Sequence, residues 1–503
     1  MAALAGAVLL LLLTLPSWAQ GGNWSEPINI SNTPNHSWFP DLTVDSQGRV
    51  HVIWCETTDI KGGRQQKEQT FYTMWDGMSW STPNDIVPPV PNIHRGAITT
   101  DRSDVLHLLF GGGSRSAEGY VLYYEHAISD EAWSAAAWSA PHRVSQRDAY
   151  MGDIAVDSQG VIHMVFDGIF RVEGTDSEED AQVAVADIFY RHSVDGGQTW
   201  SSMVDLFPSL STGSSRPQME VDSSDTIHVT WDEGWDRLTG LGVPDHSGYT
   251  FSADGGMTWS PVMTVTYPVT TVAQLTVGSD GQGGVMLVWR ATSRDEIFYQ
   301  WSSDGASSWE APSEIPGVFA RPWANPFDMY DMATDSAGHI HLVVVGRQFR
   351  DGEAPLGVYH FEWDGQAWSK AERIYGGKGF PEYPKIAIGQ GNQLHVVWFV
   401  RESLWFSEDE HPGPHQVWYS SSEAAAPHQV VTPLPSSTPV PPTATPHPTP
   451  TATPYPTVSL DNTGLPDGLY TEGDDVLRLA IALSPTVLLV LVVVAVRKGW
   501  FGK

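Results

Sequence analysis

The sequence predicts an all-β chain closed into a seven-bladed β-propeller, and three observations predict it. A hairpin of one pattern recurs seven times between residues 40 and 398. Each copy runs on into a third strand and, in six cases, a fourth. The seventh copy ends at "QVWYSSS" (416–422) without that fourth strand, while an orphan "NWSEPINIS" (23–31) stands ahead of the first copy.

The composition agrees with strands rather than helices. The 503 residues hold 22 Trp, 47 Gly and 36 Pro, and 41% are hydrophobic, enough for a large core. Lys and Arg number 27 against 59 Asp and Glu, a formal charge of −32 that opposes nucleic acid and anionic lipid surfaces as partners. The one cysteine, Cys55, excludes an intramolecular disulfide framework and reads as a small buried residue at a strand end.

Taken in order, the chain opens with "MAALAGAVLLLLLTLPSWAQ", an apolar run followed by small residues, which is the pattern of a secretory signal peptide over 1–19. The hairpins follow over 20–422: "PDLTVDSQGRVHVIW", "GAITTDRSDVLHLLF", "GDIAVDSQGVIHMVF", "PQMEVDSSDTIHVTW", "AQLTVGSDGQGGVMLVW", "YDMATDSAGHIHLVV" and "PKIAIGQGNQLHVVW". Apolar and polar residues alternate on both sides of a D-S-x-G turn, so each is a pair of strands. Anchored on Asp45, Asp101, Asp157, Asp222, Gly278, Asp335 and Gly389, the copies recur at 54 to 65 residues. The orphan strand is expected to complete the seventh blade, fastening the first repeat to the last so that the ring has no open edge.

Beyond the blades, residues 423–475 include "TPLPSSTPVPPTATPHPTPTATPYPT", a Pro/Thr-rich stretch without large apolar residues that predicts an extended stalk. The uncharged run "LAIALSPTVLLVLVVVAV" then predicts a membrane helix over 476–498; its eighteen residues span about 27 Å at roughly 1.5 Å each. Arg497 and Lys498 follow it and Glu472, Asp474 and Asp475 precede it, which places the tail 499–503 in the cytoplasm and the propeller outside the cell. The expected protein is a single-pass cell-membrane protein with a monomeric ectodomain.

The turn between third and fourth strands carries a second motif. "SVDGGQTWS" gives Ser193, Asp195, Gly197, Thr199 and Trp200, and "SADGGMTWS" gives Ser252, Asp254, Gly256, Thr258 and Trp259. A third copy has Ala306 in place of the glycine, two are shortened at Asp76 and Asp364, and the second blade keeps only "EAWSAAAWS". The carboxylate caps turn N–H groups, the glycine allows positive φ, and the tryptophan packs between blades. The pattern resembles the Asp-box, or bacterial neuraminidase repeat, of the sialidase superfamily. The resemblance covers nearly all of 20–422 and implies a structural box, away from the active face.

For activity the resemblance implies three arginines on a substrate carboxylate, the first in a Phe/Tyr-Arg-Ile-Pro motif, with a tyrosine nucleophile supported by a glutamate and an aspartate acid/base. That motif is absent: the start of the first blade reads "SWFPDL" (37–42). The candidates come instead from the ends of the second strands, where even offsets from the hairpin histidine put Asp167, Asp232, Arg290, Arg347 and Arg401 on one strand face. Arg290, Arg347, Arg401 and Asp167 are the candidate ligand-binding residues, the arginines suiting a carboxylate or sulfate. Glu233, Asp232 and Tyr330 are the candidate catalytic residues.

The recurring His51, His107, His163, His228, His341 and His395 read as repeated structural contacts rather than a metal array. No cofactor is expected, with Ca²⁺ at the acidic insertion "VEGTDSEEDAQ" (172–182) as the one alternative. Two function classes follow. The first is a surface propeller that binds a glycan or a surface protein through its channel face. The alternative is an active exo-glycosidase of sialidase type that removes terminal acidic sugars.

Overall fold

The structure, a computed structural model, describes residues 24–433 apart from 59–66, 88–92, 115–118, 146–148, 170–185, 209–212, 235–245, 267–270, 293, 323–328, 351–353 and 403–413. The expected signal peptide, the stalk beyond 433, the membrane helix, the cytoplasmic tail and the 172–182 insertion lie outside the described residues. Among the described residues no helix is long and apolar enough to cross a membrane.

Seven four-stranded antiparallel sheets make up the described chain. Blade 1 consists of His36–Val44, Val50–Thr58, Lys67–Trp75 and Asn84–Asp85. Blades 2 to 6 repeat it within 94–143, 149–207, 214–265, 272–314 and 331–375. Blade 7 pairs Phe380–Gly389, Gln393–Arg401 and Gln416–Glu423 with Ile28–Asn29, so the orphan strand does close the ring. The first strands of neighbouring blades touch all the way round, which makes them the channel wall.

The D-S-x-G turns behave as their sequence predicts, with one correction. Asp45 Oδ1 accepts the N–H groups of Gln47 (3.0 Å) and Arg49 (2.9 Å), an Asx-type turn repeated at Asp101, Asp157, Asp222 and Asp335. In blade 5 the residue that makes these bonds is Asp280, to Gln282 and Gly284 at 2.7 Å each, and not Gly278. The stretch "LTVGS" (275–279) imitates the "LTVDS" (42–46) of the first blade two residues too early and displaced the apparent anchor; Met286 keeps its place six residues after the true one, where the other blades have histidine.

Those histidines are structural. His51 Nδ1 lies 2.8 Å from Tyr72 Oη and its Nε2 lies 3.2 Å from Asp45, linking the turn to the third strand. His107–Tyr124, His163–Tyr190, His228–Tyr249 and His395–Tyr419 repeat the contact at 2.7 to 2.9 Å. In blade 6 the tyrosine is replaced by His360, 2.9 Å from His341.

Each such tyrosine also meets the next blade. Trp138, Trp200, Trp259, Trp309, Trp368 and Trp80 stand edge-on against Tyr72, Tyr124, Tyr190, Tyr249, Tyr299 and Tyr419, with ring centroids 4.8 to 6.3 Å apart. Trp24, in the closing segment, does the same to His360. Every seam therefore carries one edge-to-face aromatic pair, a geometry favoured by the ring quadrupoles. The tryptophan persists where the rest of the Asp-box has decayed because this contact needs only the ring.

The box supplies the platform for that ring. Ser193 Oγ accepts the N–H of Gly197 (2.9 Å), while Asp195 accepts both the N–H (2.8 Å) and the hydroxyl (2.6 Å) of Thr199. Ser252, Asp254, Gly256 and Thr258 repeat these bonds at 2.9, 2.8 and 2.6 Å. The third copy keeps the same network although Ala306 adopts φ 63°. Cys55 is buried, its thiol 3.4 Å from the Ile93 carbonyl oxygen.

Candidate functional site

The turn motifs occupy one face of the ring, and the opposite face is built from the starts of first strands and the ends of second strands. A β-bulge interrupts the first strand there in blades 1 to 5 and 7. The bulged residue adopts left-handed backbone at Phe39, Arg216, Gln274 and Tyr383, with φ between 51° and 61°. The equivalent residues of the remaining blades are Arg95, Met151 and Met329. Phe39, Met151, Met329 and Tyr383, from blades 1, 3, 6 and 7, share one buried cluster, and the Arg95 guanidinium lies 4.0 Å from the Phe39 ring centroid. Side chains thus fill the channel mouth on this side.

Toward the other face lies a charged layer. Asp41, Asp153 and Asp331 each accept a backbone N–H of the next blade, from Ile98, Met219 and Ile386, at 2.8 to 2.9 Å. Lys385 Nζ is 3.6 Å from Asp331. Burial pushes the Asp41 carboxyl up to about 7, against the opposing pull of Lys385.

The candidate acids on blades 3 and 4 are tied into this scaffold. Asp167 Oδ1 accepts the N–H groups of Tyr150 and Met151, both at 3.0 Å, and so holds the bulge of its own blade. Asp232 accepts the Ser247 hydroxyl (2.6 Å) and the Gln274 N–H (3.0 Å) and pairs with Arg216. Glu233 is buried and accepts the Trp231 indole N–H (2.7 Å) and the Ser214 hydroxyl. Glu56 of blade 1 has the same partners, Trp54 Nε1 at 2.9 Å and Ser37 Oγ at 2.6 Å, so Glu233 repeats a framework position. Tyr330 is buried in the core shared by blades 5 and 6, and its carbonyl accepts the Gln218 amide of blade 4 at 3.1 Å.

The three predicted arginines, by contrast, are brought together. Arg290, Arg347 and Arg401 are all buried at the ends of their strands. Asp295 bridges the first two, 3.3 Å from Arg290 and 3.0 Å from Arg347. Glu382 bridges Arg401 to Arg321, the latter at 3.1 Å. Arg290 also donates to the Arg321 carbonyl at 2.7 Å, which joins the two bridges into one network across blades 5, 6 and 7. Arg321 donates further to the Pro381 carbonyl at 2.8 Å.

A family model described as a BNR repeat-like domain matches residues 103–396. The chain belongs to the BNR repeat-like family. Among solved structures this BNR repeat-like propeller is similar to a protein of unknown function from Dyadobacter fermentans, at 15% identity and TM-score 0.47, covering 80% of this chain and 99% of that one. It is also similar to the NanB sialidase of Streptococcus pneumoniae, at 16% identity and TM-score 0.44, covering 78% and 69%. A PL25 ulvan lyase matches at 12% identity and TM-score 0.49, covering 78% and 95%. No curated protein matches the sequence.

Within the BNR repeat-like propeller, the four buried guanidiniums of Arg290, Arg321, Arg347 and Arg401 are gathered around Asp295 and Glu382. The guanidinium forks meet carboxylate oxygens here, Asp295 between Arg290 and Arg347 and Glu382 between Arg321 and Arg401. Counting offsets along the repeated hairpins found Arg290, Arg347 and Arg401 but missed Arg321, Asp295 and Glu382, which sit in connections or in the bulged strand. The signal for Arg321 is a local one: "ARPW" repeats the Arg-Pro pair of "SRPQ", where Arg216 stands in the mouth ring.

Proposed function

We propose that this protein is a surface propeller that binds an acidic sugar through the face formed by blades 5 to 7, with the Arg290, Arg321, Arg347 and Arg401 network as the anion-recognising element. The observation that carries the reading is the convergence of four buried arginines of this region on Asp295 and Glu382. Binding is favoured over hydrolysis because Glu233 duplicates the framework role of Glu56, each accepting a tryptophan indole N–H and a serine hydroxyl.

The signal peptide and apolar C-terminal segment of the sequence support display outside the cell on a single membrane anchor. The described chain leaves the ring on the face of the turns, where the Gln429 N–H bonds Gln390 O at 2.7 Å and the Ser336 hydroxyl bonds Pro427 O.

The test is binding of purified full-length protein, in detergent, to an array of neutral, carboxylated and sulfated glycans, together with an assay of sugar release. Retention of acidic glycans only, lost in Arg347→Lys and Arg401→Lys variants of unchanged melting temperature, is the expected result. Binding indifferent to both substitutions rejects the site. Release of terminal acidic sugar by the parent protein, abolished in Tyr330→Phe, replaces the binding reading with that of an exo-glycosidase.

A further inference from the structure

Every blade ties its fourth strand to its third in the same way, and one residue of blade 2 departs from the pattern. In each blade a fourth-strand N–H, that of Ser139 in blade 2, donates to a third-strand carbonyl at 2.7 to 2.9 Å. In five blades the third-strand residue just before that carbonyl donates a side-chain hydrogen back to the same fourth-strand residue. Thr73 Oγ1 meets Ser81 O at 2.8 Å, Arg191 Nε meets Ser201 O at 2.7 Å and Thr250 Oγ1 meets Ser260 O at 2.9 Å. Gln300 Nε2 and Ser420 Oγ do the same to Glu310 O and Ser25 O, both at 2.8 Å. Blade 6 has the apolar Phe361 at this position, and blade 2 has Glu125.

Glu125 is 0% exposed, and among the described residues neither of its carboxyl oxygens has a hydrogen-bond partner. Leu108 stands opposite it in register, and Leu108, Tyr123 and Ala127 belong to the apolar cluster between blades 1 and 2. The charged group that acts on it is Asp85 of blade 1, itself held by Gln69 and by the Val87 N–H at 3.3 Å. On the fourth strand Arg143 donates to Ser145 O at 3.0 Å, and His142 stands opposite Tyr124. On the third strand the His126 ring stacks on Tyr124, on the other side of the sheet. No cation therefore comes to the Glu125 carboxyl from the described residues. A carboxylate here would set two acceptors against each other, whereas a carboxylic acid supplies the donor that Thr, Arg, Gln or Ser supplies in the other blades.

We infer that Glu125 is a proton latch: as a neutral carboxylic acid it donates its hydroxyl to the Ser139 carbonyl, and loss of the proton loosens the fourth strand of blade 2. Burial, reinforced by Asp85, pushes its carboxyl from 4.5 up to about 8, so the acid form persists at neutral pH. The latch bears on the seam between blades 1 and 2. Ser139 directly follows Trp138, whose buried ring stands edge-on to Tyr72 and whose indole N–H donates to Ala132 O at 2.9 Å. This is also the blade whose Asp-box has decayed to "EAWSAAAWS". Rising pH therefore loosens the ring at this seam while the seams built on intact boxes keep their bonds.

Two measurements on the full-length protein in detergent test the latch, with Glu125→Gln as the variant, since blade 5 uses glutamine at this position. Infrared difference spectra of parent against variant at pH 7 are expected to show the carbonyl band of one neutral carboxylic acid, present only in the parent. Hydrogen exchange of residues 126–140, corrected for intrinsic rates, gives the second readout. Its protection in the parent should fall about tenfold per pH unit from about pH 5 to 8 and level off above, because the opened segment loses its proton near 4.5 and the closed one near 8. In Glu125→Gln it should stay within twofold over that range. Glu125→Thr, with the hydroxyl that blades 1 and 4 use, should behave as Glu125→Gln and serves in its place if the glutamine variant does not fold. Absence of the acid band overturns the latch, as does a fall in protection that both variants share. Loss of protection at pH 7 on adding EDTA also overturns it, because a bound cation rather than a proton then occupies the carboxyl.

Discussion

The indole of Trp24 meets the imidazole of His360 edge-on, with ring centroids 5.2 Å apart, and donates its N–H to Glu372 at 3.1 Å. These residues come from opposite ends of the propeller, and their contact is the seventh of seven equivalent seams. Replacing Trp24 with alanine removes the ring from the seam that closes the circle. A loss of about 2–3 kcal/mol is expected in urea denaturation, in line with truncation of a large packed side chain. Trp133→Ala, at a ring 61% exposed, is the control and should change stability by under about 0.5 kcal/mol. Equal effects at the two sites would mean that strand pairing alone closes the ring.

Two adjacent glycines separate backbone strain from seam packing. Gly255 and Gly256 both have positive φ, 71° and 84°. A Cβ on Gly255 meets nothing, whereas one on Gly256 would fall 2.2 Å from the Tyr190 hydroxyl. Gly255→Ala should cost about 1–2 kcal/mol, the price of left-handed backbone alone. Gly256→Ala should cost at least about 2 kcal/mol more and shift Tyr190 fluorescence. Matching melting temperatures for the two variants would show that the tyrosine yields without penalty.

His395 makes stability depend on pH. Its turn has Gly389 where other blades have aspartate, and burial pushes its pKa from 6.5 down to about 4. The fold thus favours the neutral ring. Its contribution is fully present above pH 6.5 and is lost as pH falls toward 4, on the order of 3 kcal/mol in total at about 1.4 kcal/mol per pH unit. Denaturation of the parent protein and of His395→Gln across that window should therefore converge as the buffer is acidified. Parallel curves would refute the assignment.

Glu382 holds two buried arginines, so Glu382→Gln leaves Arg321 and Arg401 close together without their shared carboxylate. A loss of about 3–5 kcal/mol is expected, as for breaking a buried ion pair. Sulfate in excess should raise the melting temperature of this variant more than that of the parent, by supplying the negative charge that the amide lacks. A sulfate response equal in both proteins would show that the network is closed to solvent anions.

How far the sequence alone could be read depended on whether a residue lay inside the repeat. The turn aspartates, the Asp-box bonds and the orphan strand were legible because each recurs in a fixed place and makes local hydrogen bonds. The histidines were legible as structural for the same reason, since six equivalent positions in separate strands serve six equivalent contacts. Blade 5 misled the count, because "LTVGS" imitates the "LTVDS" of blade 1 two residues too early, and only the backbone shows that Asp280 accepts the turn N–H groups. At the candidate site, Arg290, Arg347 and Arg401 could be found by offset, whereas Arg321 and Asp295 lie in connections whose course no periodicity dictates.

The sequence by itself determined the seven blades, their closure by the N-terminal strand and the packing role of the Asp-box tryptophans between blades, because these follow from local hydrogen bonds and from side-chain alternation. Tertiary structure decided which carboxylate each arginine meets. Asp295 and Glu382 each bridge arginines of different blades, and those distances exist only once the ring has closed. It also decided that Glu233 and Asp232 are engaged by neighbours, since burial must satisfy a carboxylate wherever it falls, whatever role its position in the sequence suggests.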